Sequence, residues 1–143
     1  MAYIDNTYIE NAIGNAEHTA LFTDSGTLNT AARTQLIASA DARISDALAQ
    51  AGYAPPATTT NVTIRDGSLG VYIRLAYGRK GATVPEQFAT ITSLEERIGN
   101  GDLPVYGLDP SAIGAVGGSK FSESSSSVTG NRAPIFTRDN LGF

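Results

Sequence analysis

The strongest constraint in this chain is an apolar stripe. Leu36, Ile37, Ala40, Ile44, Ala47, Leu48 and Ala51 recur at steps of three and four, and Gly52 follows at once. A period near 3.6 puts such residues on one helix face, and glycine just past the last of them supplies the left-handed residue on which helices stop. The spacing predicts a helix from about Leu28 to Ala51, roughly 35 Å long at 1.5 Å per residue, about the span of a small domain. A helix of that length is read as the spine of the fold. Its seam is rich in alanine, so a neighbouring helix can approach closely, and Asp41, Arg43, Asp46 and Gln50 are assigned mostly to the other face.

The flanking sequence supplies partners for this spine. Ahead of it, Tyr8, Ile9, Ala12 and Ile13 fall at helical spacing behind Asp5 or Asn6 as the cap, which predicts a short helix over Asp5 to Asn15. From His18 to Asn29 the apolar pattern lapses, and Asp24-Ser25-Gly26 carries turn chemistry, so the stretch reads as a loop. Beyond the spine, Tyr53-Ala54-Pro55-Pro56 forces a stop, because proline lacks a donor and holds the residue before it extended. Val62 to Ile64 alternates as a strand would, and Asp66 is the expected cap of a third helix, 66 to 79, carried by Leu69, Tyr72, Ile73, Ala76 and Tyr77. Thr83-Val84-Pro85-Glu86 fits a capping box, opening a fourth helix through Val84, Phe88, Ile91, Leu94 and Ile98 to Gly99-Asn100-Gly101. The expected fold is mainly all-α: a bundle of about four helices over residues 1–108, then a long, mostly irregular C-terminal arm over 109–143.

Composition then narrows the function. A compact domain of 143 residues buries about 68% of its unfolded surface, enough for one core without staples. The chain has no cysteine and a single histidine, His18, which removes thiol nucleophiles, disulfides and paired-histidine metal sites together. Neither a catalytic residue nor a cofactor or metal is expected. Lys and Arg number 10 against 14 Asp and Glu, a net charge of −4. That balance argues against gripping a phosphate backbone, which depends on clustered cations displacing counterions. No apolar run approaches the ~20 residues of a membrane span, and Met1 opens onto polar sequence, so neither a membrane nor a secretory signal is expected.

Individual motifs mostly reduce to structure. Gly114 to Lys120 lacks the glycine before lysine and the Ser or Thr after it that a phosphate loop needs. Glu95 and Glu96 are helix neighbours about 100° apart and read as solvated surface rather than an acid/base pair. His18 reads as a loop or helix-end residue, since a general base needs an orienting carboxylate and a nucleophile in reach. The tyrosines are assigned to packing, and Arg74, Arg79 and Lys80 to the C-terminal end of the third helix, where the macrodipole favours cations.

The arm is different. Gly114 to Gly118 and Ser124 to Ser127 cannot bury enough surface to offset ordering, yet Ile135, Phe136, Leu141 and Phe143 follow them. Burying each of these four side chains is worth ~1.5–3 kcal/mol, so the segment either folds back on its own bundle or adds to a partner. The Gly/Ser tether, able to span tens of ångströms, favours the second.

Four stretches in order, Ala2-Tyr3-Ile4-Asp5, Ala38 to Leu48, Tyr53-Ala54-Pro55-Pro56 and Phe136 to Phe143, resemble the phage Mu gp36-like family. Here the turn after the long helix lacks the family's arginine, and the linker from Thr58 to Ile64 differs. The resemblance implies a helical head-completion or head-to-tail adaptor protein of a tailed bacteriophage. It implies a homo-oligomeric ring, commonly of twelve copies, under the portal protein and above a tail-side neck or terminator protein. DNA would pass through the lumen without tight binding, and the protein would be made in the host cytoplasm and end in the virion neck. On that implication Ile135, Phe136, Leu141 and Phe143 are apolar docking anchors, and Arg138 with Asp139 fixes their register. A tail terminator ring and a small cytoplasmic regulator that presents its C-terminal peptide are the alternatives.

Overall fold

A computed structural model of the chain describes residues 3–108. Asp5 begins the first helix, α1 (Asn6–Ile13), by accepting the Tyr8 N–H on its side chain at 2.8 Å. Ahead of the cap, Tyr3 and Ile4 are already buried in the core. At Gly14 the backbone turns through φ 90°, and α2 (Asn15–Leu21) follows where the apolar pattern had suggested the start of a loop. The pattern failed there because only His18 and Leu21 of α2 are buried, so a histidine fills a position that a hydrophobic residue would have marked. The expected turn is present as a hairpin, β1 (Thr23–Asp24) against β2 (Thr27–Leu28), antiparallel with Thr23 opposite Leu28. Ser25 and Gly26 both have positive φ, 53° and 83°, the two-residue turn whose twist suits adjoining strands.

The long helix, α3 (Thr30–Ala51), is capped by Asn29 and ends as the sequence indicated. Gly52 is left-handed, its N–H bonds to Ala49 O and the Tyr53 N–H reaches Leu48 O at 2.9 Å, which satisfies the last carbonyls. Its stripe is buried at Ala40, Ile44, Ala47 and Leu48. Two charged residues share that side, Arg33 and Asp41; Asp41 is 1% exposed and so does not belong with Arg43, Asp46 and Gln50 on the solvent face.

The central helix is α4 (Val62–Arg79), with an unbroken buried run from Gly67 to Ile73. A helix buried nearly all round is an inner one, and α4 packs against α2, α3, α5 and α6. It starts four residues before Asp66, because the Asn61 side chain accepts the Ile64 N–H; Val62 to Ile64 is therefore helix, not strand. The expected fourth helix is divided into a 3₁₀ turn (Glu86–Phe88), α5 (Ala89–Thr92) and α6 (Leu94–Gly99). Thr92 and Ser93 hydroxyls donate to the carbonyls of Ala89 and Thr90, an alternative to the helical ladder. Gly70 lets this segment lie directly on α4: a Cβ there would stand 2.1 Å from Ile91 O. The fold is thus mainly α, and among the described residues no helix is long and apolar enough to cross a membrane.

Candidate functional site

The six residues assigned to docking, Ile135, Phe136, Arg138, Asp139, Leu141 and Phe143, lie outside the described residues. Beside the point where residue 109 follows, the chain is tied to the bundle. Val105 is buried and donates its N–H to Tyr53 Oη at 3.1 Å, and Asn61 Nδ2 donates to Tyr106 O at 3.0 Å. Tyr106 is nevertheless 79% exposed, and Val62, next to Asn61, 65%. Of the tyrosines assigned to packing, Tyr3, Tyr72 and Tyr77 are in the core, whereas Tyr106 is a surface residue.

A polar groove of about 430 Å³ runs between α3, α4 and α6. At its centre Arg43 grips Glu95 through two hydrogen bonds, Nε to Oε1 at 2.8 Å and Nη2 to Oε2 at 3.1 Å, and Arg74 adds a third to Oε2. Glu95 is therefore a joint between three helices, with its side chain only 18% exposed, while Glu96 stays at the surface. Arg79 and Lys80 also do more than answer the helix dipole. Arg79 donates to Leu21 O and to Asp24, and Lys80 to Thr23 O and Asp24, so the end of α4 clamps the hairpin. Arg79 first, then Asn29, holds the Asp24 carboxyl well below the usual carboxylate range.

A smaller and more apolar groove, about 230 Å³, lies between α1, α4 and α5, with Tyr8, Ala12, Leu69 and Ile91 on its walls and Asn11 and Asp66 also lining it. Tyr8 donates its hydroxyl to Asp66 at 2.5 Å, and burial together with that carboxylate pushes the phenol up to about 12. The Arg65 guanidinium lies 4.0 Å over the Tyr8 ring, and its Nε donates to Tyr3 O.

Two polar networks lie beneath the surface. Asp41 accepts the Tyr3 N–H at 3.0 Å and the Ser68 hydroxyl, joining the N-terminal segment, α3 and α4; burial raises its pKa despite both bonds. His18 lies between Tyr72 Oη, 2.7 Å from Nε2, and Glu10, 3.4 Å from Nδ1. Burial first, and the nearby Arg33 second, lower its pKa. The neutral tautomer that satisfies both neighbours donates from Nδ1 to Glu10 and accepts the Tyr72 hydroxyl on Nε2. Arg33 sits 5.9 Å from the Phe22 ring centroid, and its buried Nε and Nη2 have no hydrogen-bond partner among the described residues.

A carboxylate, an imidazole and a hydroxyl in series could suggest nucleophilic chemistry. Here both His18 and Tyr72 are 0% exposed, and burial drives the Tyr72 phenol far above its ordinary value. No substrate atom can reach either, so the series joins α1 and α2 to α4 as a structural lock. Among the described residues no three His, Cys, Asp or Glu side chains converge as metal ligands. Among the described residues the surface offers these two grooves, a further one of about 330 Å³ beside the hairpin lined by Asp24, Leu28 and Asn29 among others, and an exposed apolar corner at Val62 and Tyr106. Periodicity alone could have found the buried charges, since 33, 37, 40, 41, 44 and 48 share one helical face; their charge concealed Arg33 and Asp41. The grooves depend on how separate helices meet and left no such signal.

Comparison of the chain with protein-family models, with curated proteins and with solved structures finds no match.

Proposed function

We propose that this chain is a structural protein of a tailed-bacteriophage neck, a head-to-tail adaptor that forms a ring under the portal and links the DNA-filled head to the tail. The observation that carries the reading is a closed helical bundle joined to a further 35 residues, 109–143, in which a Gly/Ser-rich stretch leads to Ile135, Phe136, Leu141 and Phe143. A rigid wedge plus a tethered apolar segment suits a subunit that must remain dispersed before assembly and lock on afterwards, through folding coupled to binding. The ordered likeness to the phage Mu gp36-like family supports the same reading. Arg138 and Asp139 would fix the register of the apolar anchors, and a net charge of −4 per copy would let DNA pass without sticking. The helix-dominated architecture favours an adaptor over a tail terminator ring, a role often built on sheets.

Mass spectrometry of purified virions tests this. About twelve copies per particle, retained in tailless heads, are expected. Absence from the particle would move the assignment to a cytoplasmic regulator, and recovery only with detached tails to a terminator.

A further inference from the structure

We propose that the amino end of α3 is a receptor for a small tetrahedral oxyanion of the phosphate type, with Arg33 as its principal ligand. Arg33 is only 8% exposed, yet its Nε and Nη2 are buried without a hydrogen-bond partner among the described residues. The Phe22 ring, whose centroid lies 5.9 Å from the guanidinium carbon, offers a π face but no lone pair. Burying an unpaired ion is expensive, and arginine does not escape by losing its proton as lysine or histidine does. Such a group calls for an acceptor that is itself negatively charged.

The helix end beside it makes the same demand. A helical side chain leans back over the preceding turn, and Phe22, against which Arg33 lies, accepts the N–H of the cap residue Asn29 on its carbonyl at 2.7 Å. The guanidinium therefore stands next to the first turn of α3. Asn29 accepts the Ala32 N–H on Oδ1 and the Arg33 N–H on its carbonyl, which leaves the N–H groups of Thr30 and Ala31 without an acceptor among the described residues. The positive end of the helix dipole favours an acidic first turn; α3 has no acidic residue there and has a cation beside it instead. The carboxylates of α1, α2 and the hairpin are engaged elsewhere: Glu10 with His18, Glu17 with Tyr77, and Asp24 with Arg79, Lys80 and Asn29. The Nε and Nη2 edge of the guanidinium, together with the N–H groups of Thr30 and Ala31, presents more donors than a flat carboxylate meets and suits the oxygens of a tetrahedral ion. The groove of about 330 Å³ beside the hairpin is lined by Asn29, Thr30 and Ala31, so it opens on this same end of the helix and gives the ion a way in. Asp24 lines it too, with its charge met by Arg79 and Lys80.

The site asks nothing of the adaptor reading, and either can fail alone. The test follows the Arg33 Nε–H and the Thr30 and Ala31 amides of the full chain by proton–nitrogen NMR, while sodium phosphate replaces sodium chloride at constant pH and ionic strength. Shifts that saturate together at all three groups are expected. In urea titrations, phosphate at ten times its half-saturating concentration should raise the folded-to-unfolded ratio about elevenfold. Arg33→Met, which keeps much of the side chain's length without its charge, should lose that gain. If that variant fails to fold, Arg33→Lys, which keeps the charge but not the fork, should raise the half-saturating concentration about tenfold. Acetate in place of phosphate separates the sources: saturation by acetate and not by phosphate overturns the tetrahedral ion in favour of a carboxylate side chain from a partner. Shifts that only grow linearly with phosphate, or an equal gain in Arg33→Met, overturn the site.

Discussion

Replacing Gly70 with alanine should unseat the segment that carries α5, and two other glycines of α4 provide the controls. At Gly70 an added Cβ would stand 2.1 Å from Ile91 O, 2.7 Å from Ile91 C and 3.0 Å from Thr92 Cα, all of them backbone. At Gly67 it would meet Ile44 Cδ1 at 3.0 Å and Ile98 Cδ1 at 3.3 Å, the mobile ends of side chains, and at Gly78 nothing within 4 Å. Alanine is better than glycine inside a helix by about 0.8–1 kcal/mol. Gly78→Ala should therefore stabilise, by about 0.5 kcal/mol given its place near the helix end. Overpacking costs about 1–3 kcal/mol or more, and a backbone that must retreat by over an ångström lies at the upper end. After the gain in helix propensity, Gly70→Ala should lose about 2 kcal/mol, with Gly67→Ala between the two. At about 4–8 °C per kcal/mol for a folded unit of this size, thermal melts should fall by roughly 8–16 °C for Gly70→Ala and rise by a few degrees for Gly78→Ala. Urea titrations should give the same order. A Gly70→Ala protein that melts at or above wild type would refute the close approach of α5 to α4.

The buried networks give further expectations. His18 has a depressed pKa, so its share of stability is present above the ordinary histidine value of 6.5 and is lost as pH falls through the lower folded-state value; His18→Gln should flatten the decline in Tm on acidification below pH 6.5, read by calorimetry. Asp41 has the opposite sign: its pKa is raised, so its contribution is present at low pH and is lost as pH rises through the folded-state value. Asp41→Ala, which strands the Tyr3 N–H and the Ser68 hydroxyl, should cost about 2 kcal/mol or more by denaturant titration, and more at pH 4 than at pH 7. Because both arginines are partly exposed, a double-mutant cycle over Arg43 and Glu95 should return a coupling of about 0.5–1 kcal/mol that shrinks as salt is added.

What could be read from the sequence was whatever local chemistry decides. The Ala40 to Leu48 seam, the left-handed Gly52, the proline stop and the Ser25-Gly26 turn all depend on a few adjoining residues, and all are present. Elements decided by distant contacts were read less well. α2 is buried through His18, whose acceptability in the core depends on Tyr72, 54 positions away in sequence. The β-branched Val62 and Ile64 suggest a strand, but the Asn61 cap and the packing of α4 override that propensity. The break between α5 and α6 pairs the Thr92 and Ser93 hydroxyls with the close approach at Gly70, a contact only the fold supplies. The same holds for the surface. Arg43, Arg74 and Glu95 were each visible as charges, but their meeting required three helices to converge. For the residues assigned to docking, Ile135, Phe136, Arg138, Asp139, Leu141 and Phe143, composition and the family resemblance were the whole of the signal, and they lie outside the described residues.

The central proposal is that this bundle attaches to a portal through the segment beyond Gly130. The most direct test is co-sedimentation of the purified chain with the portal rings that this proposal pairs it with, beside a form truncated after Gly130. Stoichiometric binding of the intact chain and none of the truncated one is the expected result. If both forms are folded and neither sediments with the portal, the adaptor assignment is contradicted.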